Sequence, residues 1–427
     1  MTKPYELTAT EAIELIQKRE LSIFEWVSSC FSRVKEKEEV VKAWIYLDEE
    51  NALKKAKELD ETNNLNVLGI PFGIKDIIDA SNVPSGLGTP FYENNIPARD
   101  AASVAVAKES GCVFMGKTVS TELGHRAPGL TTNPHNKDHT PGGSSSGSAA
   151  AVSALMAPVC YGTQTTGSVI RPAAYCGVIG YKPTYGDFDK SGILSNSPSI
   201  DTLGLMSRSV EDVSLFRSIL LEEKLVEPQK INLNNLRIGF VRTPHWDKTD
   251  ISTQNKLESF VETLRLEKFN ISDLNIDILI SKADKLHIDV SGYEFKRSIS
   301  YERFNHYNEL SDILRNGRLS DGYQVTNELY KKAIKEVQIL KNDIDSVFDN
   351  IDLIITPSAP GEALKGIEYT GSALFNTTWS LCGNPCITIP LFKGEQNLPI
   401  GCQLVTRFGN DNQLLNYAKS LFELYLK

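Results

Sequence analysis

Pro141-Gly142-Gly143-Ser144-Ser145-Ser146-Gly147-Ser148-Ala149-Ala150-Ala151-Val152-Ser153-Ala154 is the stretch on which the fold of this chain turns. Its first half is a Gly/Ser run, a composition that usually marks a flexible linker. Its second half argues otherwise. Ala149 to Leu155 predicts a tightly packed helix, because small residues let backbones approach closely. A linker needs neither Pro141 ahead of it nor a close-packing helix behind it. A loop rich in Pro, Asn, His and Thr, residues 127–141, leads in.

Upstream, the first strong strand is Val67 to Ile74, buried by its apolar flanks, and it delivers Lys75-Asp76 at its end. Thr8-Ala9-Thr10-Glu11 and Ser22-Ile23-Phe24-Glu25 read as capping boxes, so the chain opens with two helices. Glu49 to Asp60 continues as a third. Ala101 to Gly111 is helical in pattern and Cys112 to Met115 is a strand. Further strands are predicted at Val178–Tyr181, Leu236–Val241, Leu353–Thr356, Cys386–Pro390 and Ile400–Thr406. Helices are predicted at Thr253–Leu266, Gly292–Leu314, Gln324–Phe348 and, closing the chain, Asp411 to Leu426. Strands alternating with helices define an α/β fold. With no internal repeat and no long linker, residues 1–427 are read as one domain. Residues 223–350 turn richer in Lys, Asn and Asp and read as a helical cover on it. Within them Tyr293, Tyr301, Phe304 and Tyr307 recur at near-helical spacing and read as core.

The balance of 41% hydrophobic to 23% charged residues is that of an ordinary globular protein and argues against disordered or fibrous classes. A formal charge of −9 without a long basic run argues against a dedicated nucleic-acid binder. The seven cysteines are an odd number, lie far apart and form no C-x-x-C pair. That pattern fits reduced, buried thiols of a cytoplasmic protein rather than a disulfide framework or zinc ribbon. Met1-Thr2-Lys3-Pro4-Tyr5-Glu6-Leu7 lacks the apolar core of a signal peptide. No stretch approaches the roughly 18 apolar residues of a transmembrane helix, so no membrane partner is expected.

Three features carry chemistry together: Lys75 after its strand, the run at 142–148, and Thr165-Thr166-Gly167-Ser168 before Ile170-Arg171-Pro172. Alone, each has a bland reading as a surface lysine, a linker or a turn. At the end of an apolar run, however, the ammonium of Lys75 is desolvated, which favours the neutral amine. A neutral lysine acts as a general base, and serines can relay a proton to it.

GIPFGIKD (Gly69–Asp76), PGGSSSGSAAAVSA (Pro141–Ala154), GTQTTGSVIRPAAYCGVIGYKPTYG (Gly162–Gly186) and, more loosely, FNTTWSLCGNPCITIP (Phe375–Pro390) resemble the amidase signature hydrolases. The resemblance is close from about Leu7 to Leu221 and from Asp352 onward, and weak between. It implies that family's α/β fold, a mixed and mostly parallel central sheet flanked by helices. It implies amide hydrolysis through a Ser–cis-Ser–Lys triad, with Ser168 as nucleophile, Ser144 as the bridging cis-serine and Lys75 as base. The backbone N–H groups of Thr165, Thr166, Gly167 and Ser168 then form the oxyanion hole. Gly143, lacking a Cβ, suits the cis bond and stands with Arg171 among the substrate-binding residues. A small-molecule amide is the implied substrate, with no cofactor and no metal. Homodimers are common among relatives, although no feature of this sequence demands one.

The chain departs from the family pattern twice. Many members carry Asp-x-Gly-Gly-Ser where this chain has Gln164-Thr165-Thr166-Gly167-Ser168, which is compatible with backbone donors if Thr166 has negative φ. Arg171 stands three residues after Ser168, one later than is common. This variant resembles a malonamidase-like subgroup in which the arginine contacts a substrate carboxylate; pairing with a structural acid is the other reading. Ser146 and Asp76 are candidate supports for Lys75. His135 and His139 lack a carboxylate or cysteine to complete a metal set and read as loop-stabilising.

Three rivals are weighed against this. Gly143-Ser144-Ser145-Ser146-Gly147 also matches the G-x-S-x-G nucleophile elbow, with Ser145 attacking and His245, His287 or His306 as base. No strong strand runs into it, and Lys75 and Ser168 go unexplained. The ammonia-releasing glutaminase subunit of an amidotransferase shares the same motifs. A non-catalytic family member acting as a scaffold is the third, against which all three triad positions are filled.

Overall fold

The computed structural model describes residues 2–62 and 68–425. Met1, Val67 and Leu426, assigned above to the N-terminus, the first strong strand and the closing helix, lie outside the described residues. Both capping boxes form. The Thr8 hydroxyl accepts from the Glu11 N–H while the Glu11 carboxylate accepts from the Thr8 N–H. Ser22 and Glu25 make the same exchange. They start the helices Ala9–Gln17 and Ile23–Val41.

The strands are β1 (Trp44–Leu47), β2 (Pro71–Lys75), β3 (Val113–Thr118), β4 (Val159–Gln164), β5 (Ile179–Lys182), β6 (Thr202–Ser207), β7 (Arg237–Phe240), β8 (Asn270–Asp273), β9 (Leu353–Pro357), β10 (Cys386–Lys393) and β11 (Pro399–Val405). They form one sheet in the order β1-β3-β2-β4-β6-β5-β10-β11-β9-β7-β8, flanked by helices. The sheet is mixed, as expected, with a smaller parallel share than expected. Parallel pairs occupy two blocks, β3-β2-β4 and β9-β7-β8. The middle, from β4 through β9, is antiparallel. There β10 and β11 are joined across Gly394–Leu398 as a hairpin, which leaves no room for the crossover a parallel pair requires, and other pairs bring together strands distant in sequence, such as β5 with β10.

The helices of residues 223–350 also differ from expectation. β7 and β8 extend the sheet, so this stretch is more than a cover. The helix predicted at 292–314 begins earlier, at Asp277, and ends at Ser298. Ser311 caps a new short helix, its hydroxyl accepting from the Leu314 N–H at 3.2 Å. Its own N–H donates to the Glu122 carboxylate. The aromatic stripe is split by these breaks. Tyr293 is buried and stacks on Tyr330 with ring centroids 4.3 Å apart, whereas Tyr301 and Phe304 are exposed. The stripe is therefore not a core face.

For the site, the decisive packing is around β2 and the helix Ser146–Ser153. β2 lies between β3 and β4, parallel to both, and every residue in it is buried. The helix packs on these strands through its small residues. Ser148 bonds Thr118 Oγ1 at 2.7 Å and the Tyr161 carbonyl at 2.8 Å, tying the helix to β3 and β4. A Cβ on Gly147 would meet the Ala43 carbonyl oxygen at 2.2 Å and the Val119 nitrogen at 2.4 Å, both backbone atoms that cannot rotate away. Gly147→Ala is therefore expected to destabilise the fold by about 3 kcal/mol, the upper range for overpacking. Denaturant unfolding measures this, with Gly186→Ala, where the added Cβ meets nothing within 4 Å but the backbone has positive φ, as a milder comparison.

Candidate active site

Because β2 and β4 are parallel neighbours, both end at the same edge of the sheet, where open α/β sheets place ligands. β2 ends on Lys75, and β4 runs into Thr165–Ser168. The N-terminus of the Ser146–Ser153 helix brings Ser144 and Ser145 to the same place. Lys75 is fully buried. Its Nζ lies 2.6 Å from Ser144 Oγ and 2.8 Å from Thr163 Oγ1. Burial pulls its pKa down to about 7, opposed by the charge of Asp201 and reinforced by that of Arg171. The peptide bond between Gly143 and Ser144 is cis.

Ser168 is half-buried and lines a recess shared with Thr165, Thr166, Gly167, Arg171, Arg126 and Arg318. Its carbonyl accepts the Ser145 N–H at 3.4 Å, which holds the two serine-bearing turns side by side. The carbonyls of the turn are turned away and engaged. Thr165 C=O faces His287 Nε2 at 3.2 Å, Thr166 C=O accepts Ser380 Oγ at 2.6 Å, and Gly167 C=O accepts the Arg171 N–H at 3.0 Å. Among the described residues, the N–H groups of Thr165 to Ser168 donate to no protein acceptor. Thr166 is not among the residues with positive φ, so its side chain carries no conformational penalty. Gly167 is needed for space: a Cβ there would lie 3.0 Å from Ala373 Cβ and 3.1 Å from Asn376 Cγ.

Several members of this site escaped the sequence reading. Gln164 Oε1 accepts the N–H groups of Val169 and Ile170, at 2.9 and 3.0 Å, and so caps the helix Ile170–Cys176. Its Nε2 donates to Ser380 Oγ. Asp201 accepts Thr165 Oγ1 at 2.6 Å. The antiparallel register of β4 with β6, Gln164 opposite Thr202, sets these two side by side. Thr163, one of the two partners of Lys75, lies on β4 in a run, Val159 to Gln164, whose mixed composition hid the strand.

Arg171 is buried, and its pKa is pushed down to about 10 by desolvation. Nη1 donates to the Gly371 carbonyl at 2.8 Å and Nη2 to the Gly143 carbonyl. The guanidinium thus ties the carbonyl of the cis bond to that of Gly371 in a separate loop, and among the described residues no structural acid pairs with it. Gly143 itself is confined by Thr370 and Ser146: a Cβ would lie 2.8 Å from Thr370 Cγ2. Ser146 donates to the Gly142 carbonyl at 2.8 Å rather than toward Lys75. Asp76 forms a buried ion pair with Lys117 at 3.3 Å beneath the strand ends. Burial moves both members of that pair toward their neutral forms.

The elbow reading finds no base. Ser145 is fully buried and its hydroxyl exchanges hydrogen bonds with the Thr163 backbone, at 3.4 and 3.2 Å. His245 pairs with Asp284, His306 with Glu309, and His287 with the Thr165–Thr166 turn. His135 faces the Cys176 carbonyl and His139 the Gln396 side chain, as loop-stabilising roles require. Among the described residues no group of three His, Cys, Asp or Glu is arranged to hold a metal, and no helix is long and apolar enough to cross a membrane. A cavity of about 300 Å³ adjoins the Ser168 recess, lined by His125, Arg126, Thr166, His287, Arg318 and Tyr369 among others. A larger one, about 960 Å³, lies by β1 and Asp76 and includes none of Lys75, Ser144 or Ser168.

This geometry is that of an enzyme acting on carbon–nitrogen bonds other than peptide bonds. The chain belongs to the Amidase family, whose model matches residues 25–415. It is 29% identical to a glutamyl-tRNA(Gln) amidotransferase subunit of Thermoanaerobacter pseudethanolicus, over 97% of this chain and 95% of that one. Its fold is also that of a solved amidase (24% identity, TM-score 0.88, 98% of this chain and 100% of the other). The peptide amidase of Stenotrophomonas maltophilia is similar too (24% identity, TM-score 0.83, 100% and 98%).

The burial of Lys75 has a thermodynamic consequence that can be measured. A lysine that titrates near 10.5 when unfolded and near 7 when folded costs the fold stability. The cost is full below pH 7 and fades as pH rises toward 10.5, because over that window only the unfolded chain keeps the proton. Lys75→Met is expected to stabilise the protein by about 1–4 kcal/mol below pH 7, less the hydrogen bonds lost at Ser144 and Thr163, with the gain shrinking toward pH 10. Thermal denaturation of both proteins across that range checks the sign.

Proposed function

We propose that residues 1–427 act as one catalytic domain that hydrolyses a small linear amide through a Ser168–Ser144–Lys75 relay and a seryl acyl-enzyme. The observation that carries this is the 2.6 Å contact of Lys75 Nζ with Ser144 Oγ in a desolvated site. The neutral amine of Lys75 accepts the Ser144 proton as Ser144 takes that of Ser168. Ser168 Oγ bonds to the amide carbon, and the oxyanion is met by the N–H groups of the 165–168 turn. The carbon–nitrogen bond then breaks, and the proton returns through Ser144 to the leaving ammonia or amine. Water attacks the ester by the same route in reverse.

Arg171 and Gly143 enter this reading as supports of the turn. The carboxylate contact that the malonamidase-like resemblance attached to Arg171 falls more naturally to Arg318 and Arg126, which line the cavity beside Ser168. Neither is in a salt bridge among the described residues. Arg318 donates to Thr166 Oγ1 at 2.9 Å. Kinetics on a half-amide of a short dicarboxylic acid and on its diamide are expected to favour the anionic substrate. Arg318→Gln should lower kcat/KM about tenfold more for the half-amide than for the diamide.

The likeness to amidotransferase subunits supports a second reading, in which the chain releases ammonia for a partner protein. Amide hydrolysis by the purified chain alone favours the first reading, and activity that appears only with a partner favours the second. Labelling with a fluorophosphonate tests the relay itself. The label is expected on Ser168, at a rate that falls as pH drops through about 7 as Lys75 takes up a proton, and to be lost in Lys75→Ala. Label on Ser145 that ignores Lys75 would overturn the relay. Undiminished turnover in Ser168→Ala would assign the nucleophile elsewhere, and a wild type with neither label nor turnover would point to a binding role instead.

A further inference from the structure

We propose that Asp201 is a positioning residue of the active site, which clamps the Thr165 end of the oxyanion turn and supports the protonated form of Lys75. This rests on the relay above and adds a residue to it. The carboxylate of Asp201 is buried and surrounded by donors. Oδ1 accepts Thr165 Oγ1 at 2.6 Å. Oδ2 accepts the N–H groups of Asn196 and Ser197, both at 2.7 Å, and Ser195 Oγ at 3.2 Å. Backbone N–H groups only donate, so Oδ2 carries no proton. Burial pushes the pKa of the group up, and against it these bonds and the charge of Lys190 favour the ionised carboxylate.

Thr165 is the residue at which β4 leaves the sheet. Its hydroxyl is held by Asp201 at 2.6 Å, while its carbonyl faces His287 Nε2 at a looser 3.2 Å, so the Asp201 bond is the shorter of the two side-chain contacts that set the direction of its N–H and the three that follow. Asp201 is in turn braced from the helices of residues 277–347. Ser197 Oγ donates to Glu294, which also accepts Ser199 Oγ at 3.0 Å and Tyr330 OH at 2.6 Å. A continuous set of hydrogen bonds therefore runs from those helices through Glu294, Ser197 and Asp201 to the turn.

The second half of the role is electrostatic. Lys75 Nζ bonds Thr163 Oγ1 at 2.8 Å, two residues before the Thr165 that Asp201 holds, and from there the charge of Asp201 favours its protonated form while that of Arg171 opposes it. Asp201 is itself faced by Lys190, whose Nζ donates to the Asp201 carbonyl at 2.9 Å, and its charge reaches Arg318 and Tyr185. Thr165 is faced by His287, which burial and the arginines hold neutral, down at about 3. Asp201 is thus the anion that keeps the Lys75 pKa from falling further, near enough to neutrality for the amine both to accept a proton and to return it.

The experiment follows the pH dependence of fluorophosphonate labelling at Ser168 in wild type, Asp201→Asn and Thr165→Val. Asp201→Asn removes the charge, so Lys75 loses its proton more readily, and the acid limb is expected to move down by about one pH unit. Thr165→Val keeps the charge and cuts the clamp. Its labelling rate should drop about tenfold or more at every pH with the limb unmoved. A limb fixed near pH 7 in Asp201→Asn would overturn the electrostatic role, and a wild-type rate in Thr165→Val would overturn the clamp. Where Asp201→Asn does not fold, Glu294→Gln, which weakens only the outer brace, takes its place beside Thr165→Val, and a wild-type rate in both overturns the proposal. If wild type shows no limb near pH 7 and labels equally in Lys75→Ala, the relay has failed rather than the assignment of Asp201.

Discussion

A lysine amine fully buried at the end of a central strand, with no ion-pair partner among the described residues, is the constraint from which the rest of this site follows. An ammonium at that depth is costly unless paired, and Lys75 is given two hydroxyls in place of a carboxylate. The result is an amine held near neutrality. The buried pair one residue away shows the alternative. Lys117 has Asp76 at 3.3 Å and Ser85 beside it, a structural arrangement in which the charge is matched. The two lysines lie under the same sheet edge with opposite solutions to the same desolvation.

Around Lys75 the backbone, rather than side chains, is arranged to do the electrostatic work. Each carbonyl of the 165–167 turn has a partner facing away from the recess, which leaves the N–H groups as the free ends of the peptide dipoles. Arg171 performs the complementary task on the other turn, binding the Gly143 and Gly371 carbonyls together. Planar and always charged, a guanidinium suits two carbonyls that diverge, which a lysine cannot bridge in the same way.

How much of this was legible in the sequence follows from where glycine falls. The end of β2 and the Gly/Ser run announce themselves by composition, and with them Lys75, Ser144 and Ser168. β4 and β6 were missed, and each carries a glycine in mid-strand that breaks the strand pattern. A Cβ on Gly162 would meet Ser145 Oγ at 2.7 Å, and one on Gly204 would meet the Tyr181 carbonyl at 2.6 Å. In β4 the glycine that makes room for Ser145 is followed by the polar Thr163 and Gln164, whereas β2, with its own Gly73, keeps an apolar run that shows through. Asp201 was hidden for a related reason. Its partner Thr165 is distant in sequence, and only the β4–β6 register makes them neighbours. The antiparallel share of the sheet was hidden in the same way, because it pairs strands far apart in sequence, β5 with β10 and β9 with β11.

The departure at Thr166 bears on how the cover and the catalytic turn are coupled. Backbone donors leave the side chain at that position free to vary, provided φ stays negative, and here it does. Threonine uses the freedom: its hydroxyl meets Arg318 and His287, both from the 277–324 stretch where the family resemblance is weak. A glycine there would remove the contact with Arg318 and leave His287 only the Thr165 carbonyl of the turn. With threonine, the least constrained part of the sequence reaches the turn through this hydroxyl as well as through His287 at the Thr165 carbonyl and the Glu294–Ser197–Asp201 chain. A change in the cover that moves Arg318 therefore moves a turn that must stay in place for chemistry. On the proposed reading, substrate selection and donor geometry are mechanically linked rather than separable.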